Sequence, residues 1–64
     1  MRTTVEIFRK EQGLTRRELC KKCNITEHAL YKIEKQLQED VSLKTARAIS
    51  RSLNKPIDEI FIEE

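Results

Sequence analysis

Four side chains close together in the chain are of types that could do recognition chemistry: Glu27, His28, Tyr31 and Lys32. At about 100° per residue they share one side of a helix, nearly opposite Ala29, Leu30 and Ile33. An acid, an imidazole, a phenol and an amine set side by side suit the hydrogen-bonding edges of stacked bases. Lys32 can donate to guanine O6 and N7, His28 can donate or accept, Glu27 can accept from a cytosine amino group, and Ala29 can meet a thymine methyl. The competing reading is an ordinary solvated face on which Glu27 only steadies the helix N-terminus. A second constellation, Cys20-Lys21-Lys22-Cys23, has the spacing of a redox or metal pair. A structural zinc site needs four ligands, and no second Cys or His pair is present. Cysteines three apart in a helix are also poorly placed for a disulfide. Packing is therefore expected of both thiols, with no metal and no cofactor.

Positioning the four-residue face requires two short helices and a tight turn. Thr15 stands three residues before Glu18, the spacing of a capping box, so a helix should begin at Arg16. It runs to Cys23 with Leu19, Cys20 and Cys23 on its inner side. Asn24 tolerates the left-handed conformation that closes it, Ile25 turns inward, and Thr26 caps a helix from Glu27 to about Lys35. The spacing thus predicts a helix-turn-helix over about 15–35. Helix N-termini offer amides to phosphates, so Arg16 and Thr26 at the two helix starts and Lys35 beyond the end of the second helix, with Arg17 and Gln36 beside them, are the expected phosphate-binding set. Lys21 and Lys22 read as solvated surface.

The remaining elements supply the support. Val5 and Phe8 mark the inner side of a first helix from about Thr3 or Thr4 to Gln12, with Gly13 as its terminator; Arg9 and Lys10 read by position as a solvated edge. Gln36 to Val41 lacks periodicity and reads as a loop. Ser42 or Asp40 caps a fourth helix whose stripe is Leu43, Ala46, Ile49 and Leu53, ending near Asn54. Pro56 opens a last short helix that returns Ile60 and Phe61 to the core. No strand is expected, except that Phe61-Ile62 is the one place where an extended tail could pair.

Length and charge narrow the class. Sixty-four residues make one domain at most, spanning residues 1–64, and a domain this size buries only about 60% of the surface its unfolded chain exposes. No apolar run approaches the roughly 20 residues needed to cross a bilayer, and no signal segment is evident, so a cytoplasmic protein is expected. The net charge of +2 hides an asymmetry. Residues 1–35 hold nine Lys or Arg against five Asp or Glu, and residues 36–64 hold four against six. The basic half is the one containing the turn, which fits a polyanion-facing surface. One His, scattered carboxylates and no Gly-rich loop do not assemble a catalytic site, so no enzyme and no small-molecule substrate are expected.

Arg9, Gly13-Leu14-Thr15, Glu18-Leu19, Ile25-Thr26, Leu30, Ile33-Glu34, Ser42-Leu43, Leu53 and Asp58-Glu59-Ile60-Phe61 together resemble the Cro/repressor-type (XRE) helix-turn-helix family of phage and bacterial regulators. The resemblance covers nearly the whole chain. It implies an all-α, compact five-helix, lambda-repressor-like domain with its recognition helix in the major groove of double-stranded DNA, working as a homodimer on a near-palindromic operator. It also implies a structural ion pair between Arg9 and Glu34. Arg16 stands where many members carry a Gln that touches the DNA backbone, Asn24 replaces the usual turn Gly, and Gln36 stands where a Gly often follows. Ile62, with Phe61, is the expected dimer contact. The expected function is a sequence-specific transcriptional regulator, a repressor acting by operator occupancy. The alternative is a small protein-interaction or antitoxin-like module on the same fold.

Overall fold

The computed structural model describes residues 2–37 and 40–63. Gln38 and Glu39, in the segment read as a loop, lie outside the described residues. The elements are β1 (Arg2–Thr3), α1 (Val5–Glu11), α2 (Arg16–Cys23), α3 (Glu27–Glu34), α4 (Leu43–Leu53), α5 (Ile57–Ile60) and β2 (Phe61–Ile62). Among the described residues the fold is all-α, with five helices and one short ladder.

Local chemistry sets the helix boundaries. Thr15 Oγ1 accepts from the Glu18 amide at 3.1 Å while Glu18 Oε1 accepts from the Thr15 amide at 2.9 Å, so both halves of the capping box are made. These bonds favour the ionised acid and lower the Glu18 pKa from its usual range. Thr26 Oγ1 accepts from the Ala29 amide at 3.0 Å, and Ser42 Oγ accepts from the Thr45 amide at 3.2 Å. Asn24 and Asn54 close α2 and α4 in the left-handed region, at φ 58° and 56°. Gly13 takes φ 70° after α1, where the lack of a Cβ removes the steric cost.

Burial then joins the helices. Val5, Leu19, Cys20, Cys23, Leu30, Ile33, Ile49, Leu53 and Ile60 form one core, against which Phe8, Leu14, Ile25, Val41, Ala48 and Phe61 pack while half-buried. The largest of these side chains are sealed from water, and each contributes about 1.5–3 kcal/mol relative to exposure.

Three expectations change on contact with the structure. Leu43 is 60% exposed and lies outside the core stripe. It sits almost a quarter turn from the mean direction of Ala46, Ile49 and Leu53, on the first residue of α4, where the neighbouring helices do not reach. Arg9 is buried at 7% and forms no solvated edge. It shares the Val5 and Phe8 side of α1, and its guanidinium finds partners there. Thr3 belongs to a strand and not to α1: β1 pairs antiparallel with β2, Arg2 opposite Ile62 and Thr3 opposite Phe61. The Thr4 amide continues the tie by donating to the Ile60 carbonyl at 2.9 Å.

Candidate nucleic-acid interface

The expected recognition face is assembled on a buried base. Leu30 and Ile33 enter the core, and Glu34 ends α3 with its carboxylate fully enclosed. On the outer side Glu27, His28 and Tyr31 are exposed, and Lys32 and Ala29 are half-buried. The side chains of Glu27, His28 and Lys32 make no hydrogen bond or ion pair among the described residues, so their donors and acceptors remain available to a ligand. At the turn an open groove of about 460 Å³ runs between α2 and α3, lined by Arg17, Cys20, Lys21, Asn24, Ile25, Thr26 and Glu27.

Beneath this face lies a charge cluster drawn from three helices. Arg9 Nε donates to Glu34 Oε2 at 2.7 Å, and Arg9 Nη2 donates to Glu34 Oε1 at 3.3 Å. A further bond, from Arg9 Nη1 to the Leu14 carbonyl at 2.9 Å, leaves the buried guanidinium well satisfied. Arg16 Nε donates to the same carboxylate at 3.0 Å, sharing Glu34 Oε1 with Arg9 Nη2. The Arg16 guanidinium also lies 5.3 Å from the centroid of the Tyr31 ring, within cation–π range. Glu6 Oε2 stands 3.3 Å from Lys35 Nζ, 3.8 Å from Arg9 Nη2 and 3.9 Å from Arg16 Nη2. The Lys35 ammonium, with other cations near, holds the Glu6 carboxyl below its usual range.

The expected phosphate-binding residues therefore fall into two groups. Arg17 is exposed and has no side-chain partner among the described residues, and the Thr26 hydroxyl retains a proton to donate. Arg16 and Lys35 are already engaged by carboxylates. Gln36 is engaged as well: its Oε1 accepts from the Thr3 amide at 2.9 Å, which leaves its amide nitrogen free. Its backbone adopts φ 57°, a conformation that a Gly would take without cost.

Cys20 and Cys23 are both buried in the core. Cys20 Sγ donates to the Thr26 carbonyl at 3.4 Å and Cys23 Sγ to Ser52 Oγ at 3.3 Å. Burial raises both thiol pKa values, which disfavours the reactive thiolate. Phe61 and Ile62 are half-buried, and β1 covers one edge of their strand.

Sequence reasoning missed two sets of charges. Lys44, Arg47 and Arg51 are exposed on α4 without ion-pair partners among the described residues, and they flank an open groove of about 510 Å³ with Leu43 and Ala48. Their signal was present, because α4 contains no Asp or Glu. Glu6 was missed too, although its i, i+3 relation to Arg9 is visible in the sequence.

Comparison with known proteins places this arrangement. A helix-turn-helix family model matches residues 5–60, from the start of α1 to the end of α5. The chain is also 36% identical over 62 residues to a protein of Archaeoglobus fulgidus named as an uncharacterized HTH-type transcriptional regulator, covering 97% of this chain and 87% of that protein. With two capped helices meeting at Asn24, an outward face on the second, and a family match spanning all five helices, the chain belongs to the Cro/repressor-type helix-turn-helix family.

Proposed function

We propose that the chain is a sequence-specific, double-stranded-DNA-binding transcriptional regulator that works in the cytoplasm as a homodimeric repressor, by occupying its operator and not by catalysis. The observation that carries this reading is the division of α3: a buried inner side rigidly held at Glu34, and an outer side on which Glu27, His28 and Lys32 have no side-chain partner among the described residues. Rigidly presented, unsatisfied donors and acceptors lose little on ordering and gain most from bases that match them. Glu27, His28, Tyr31 and Lys32 read base edges, with Ala29 against a methyl. Arg17 and the Thr26 hydroxyl fix the register on phosphates, joined by Arg16, Lys35 and the Gln36 amide once the duplex is seated. Glu27 repels misplaced phosphates, which favours discrimination over raw affinity. The dimer forms through the Phe61–Ile62 segment, whose outer edge β1 does not use.

Selection of bound sites from a random duplex pool tests the reading. The expected result is a near-palindromic consensus with half-sites about one helical turn apart. Lys32→Ala then loses about 1–3 kcal/mol on that consensus and relaxes one base preference, while Arg17→Ala weakens all duplexes and lowers the salt slope by about one unit. Equal losses on selected and random DNA for both variants contradict the division of roles. An absence of enrichment favours a protein-interaction module, for which exposed Ile7, Leu37 and Leu43 offer apolar contacts. Sedimentation at several concentrations tests the dimer.

A further inference from the structure

Within the DNA-binding reading above, on which this inference rests, we propose that Glu6 is an internal substitute for a DNA phosphate, holding Arg16 and Lys35 until a duplex displaces it, and so sets the affinity and salt dependence of binding.

The two carboxylates of the cluster differ in a way that separates their jobs. Glu34 is fully enclosed and bonded by Arg9 and Arg16 through three nitrogen contacts, so it cannot exchange partners without opening the core. Glu6 is 31% exposed, and its partners Arg16 and Lys35 are 31% and 44% exposed. Water reaches all three, and ion pairs at such sites are weak enough to be traded. One Glu6 oxygen bridges a guanidinium from the first turn of α2 and an ammonium just past the end of α3. Both contacts, at 3.3 Å to Lys35 and 3.9 Å to Arg16, are looser than the close hydrogen bonds a phosphate oxygen can make to the same cations, so a phosphate can take the place of the carboxylate.

The charge balance gives the consequence. Arg9, Arg16 and Lys35 face Glu6 and Glu34, three cations to two carboxylates. With Glu6 present the cluster has one surplus positive charge to offer a duplex; without it there are two. Any DNA, matched or not, must meet a carboxylate already occupying the cations it needs. Affinity drawn only from phosphates is held down, and base contacts from α3 become the larger share of what remains.

The test compares Glu6→Gln with the wild-type chain on a random-sequence duplex over a range of salt concentrations. Glu11→Gln serves as the control, because it removes one negative charge from an exposed residue outside the cluster. Glu6→Gln is expected to raise affinity by up to about fivefold at low salt and to steepen the log–log salt slope by about one unit. Glu11→Gln is expected to change the slope by much less. Glu6→Ala, which removes the side chain without an amide to take its place, should reproduce the shift. Equal effects of Glu6→Gln and Glu11→Gln, or weaker binding by Glu6→Gln, overturn the role given to Glu6 and leave DNA binding intact. A wild-type chain that binds no duplex overturns the DNA-binding reading, and the role of Glu6 with it.

Discussion

The chain makes the same turn twice and draws different elements from it. After α2, Asn24 adopts φ 58° and ψ 45°, Ile25 follows, and Thr26 opens α3 at φ −78° and ψ 155°. After α4, Asn54 adopts φ 56° and ψ 45°, Lys55 follows, and Pro56 opens α5 at φ −61° and ψ 150°. Even the closing bonds correspond: the Ile25 amide reaches the Cys20 carbonyl at 3.2 Å, and the Lys55 amide reaches the Ser50 carbonyl at 3.1 Å. Yet one turn launches an eight-residue helix with a side-chain cap, and the other a four-residue helix without one. The turn alone does not make a recognition element. What distinguishes α3 is the Thr26 cap at its start, the enclosed Glu34 at its end, and between them Glu27, His28 and Lys32, which have no side-chain partner among the described residues.

The strongest way to break that comparison is at the helix ends. Glu34→Ala strands the buried Arg9 guanidinium and should cost about 3–5 kcal/mol, a large part of the roughly 5–15 kcal/mol that holds a small domain together. The exposed Glu59 of α5 has no comparable partner, and Glu59→Ala should stay within about 0.5 kcal/mol. Urea denaturation of both variants measures the contrast, and similar losses would mean that the two helices are anchored alike. At the turns themselves the two sites should behave as equals. Asn24→Ala and Asn54→Ala each force a Cβ-bearing residue without a helpful side chain into the left-handed region, at about 1–2 kcal/mol apiece. Thermal melts that differ widely between them would undo the equivalence. The smallest effect sharpens the difference that remains: Thr26→Ala should cost about 1 kcal/mol through the lost cap. Pro56→Ala should cost about half that through added freedom of the unfolded chain.

Much of this architecture was legible because its signals are local. Thr15 with Glu18, Asn24, Thr26, Ser42, Asn54 and Pro56 each act within a few residues of their own position, so residue type located both ends of α2 and α4 and the starts of α3 and α5 to within one or two residues. The core positions of α2 and α3 followed from periodicity. Three features needed distant parts of the chain. β1 is two residues long and pairs with a strand almost sixty residues away, so it leaves no pattern to read. Leu43 fits the α4 stripe by type, but helix packing decides where that stripe ends. Arg16 was placed correctly at the start of α2 as a cation near the turn. Its engagement with Glu34, Glu6 and the Tyr31 ring depends on three helices arriving together. The polar face of α3 was visible from spacing, whereas the charge cluster behind it was visible only in part, through the Arg9–Glu34 pair that the family resemblance implied.

The small ladder of Arg2–Thr3 with Phe61–Ile62 is tied to the end of α3 through Thr3. Its amide bonds Gln36, and its hydroxyl donates to the Ile33 carbonyl at 3.4 Å. A ladder only two residues long makes few hydrogen bonds and can open at far less free energy than global unfolding. Each such opening frees the Gln36 side chain and removes a tether from the last turn of α3, while Leu30 stays seated in the core. Hydrogen exchange of the Ile33 to Leu37 amides should therefore rise and fall with exchange of the Thr3 and Ile62 amides, and a ligand that orders one segment should slow exchange of the other.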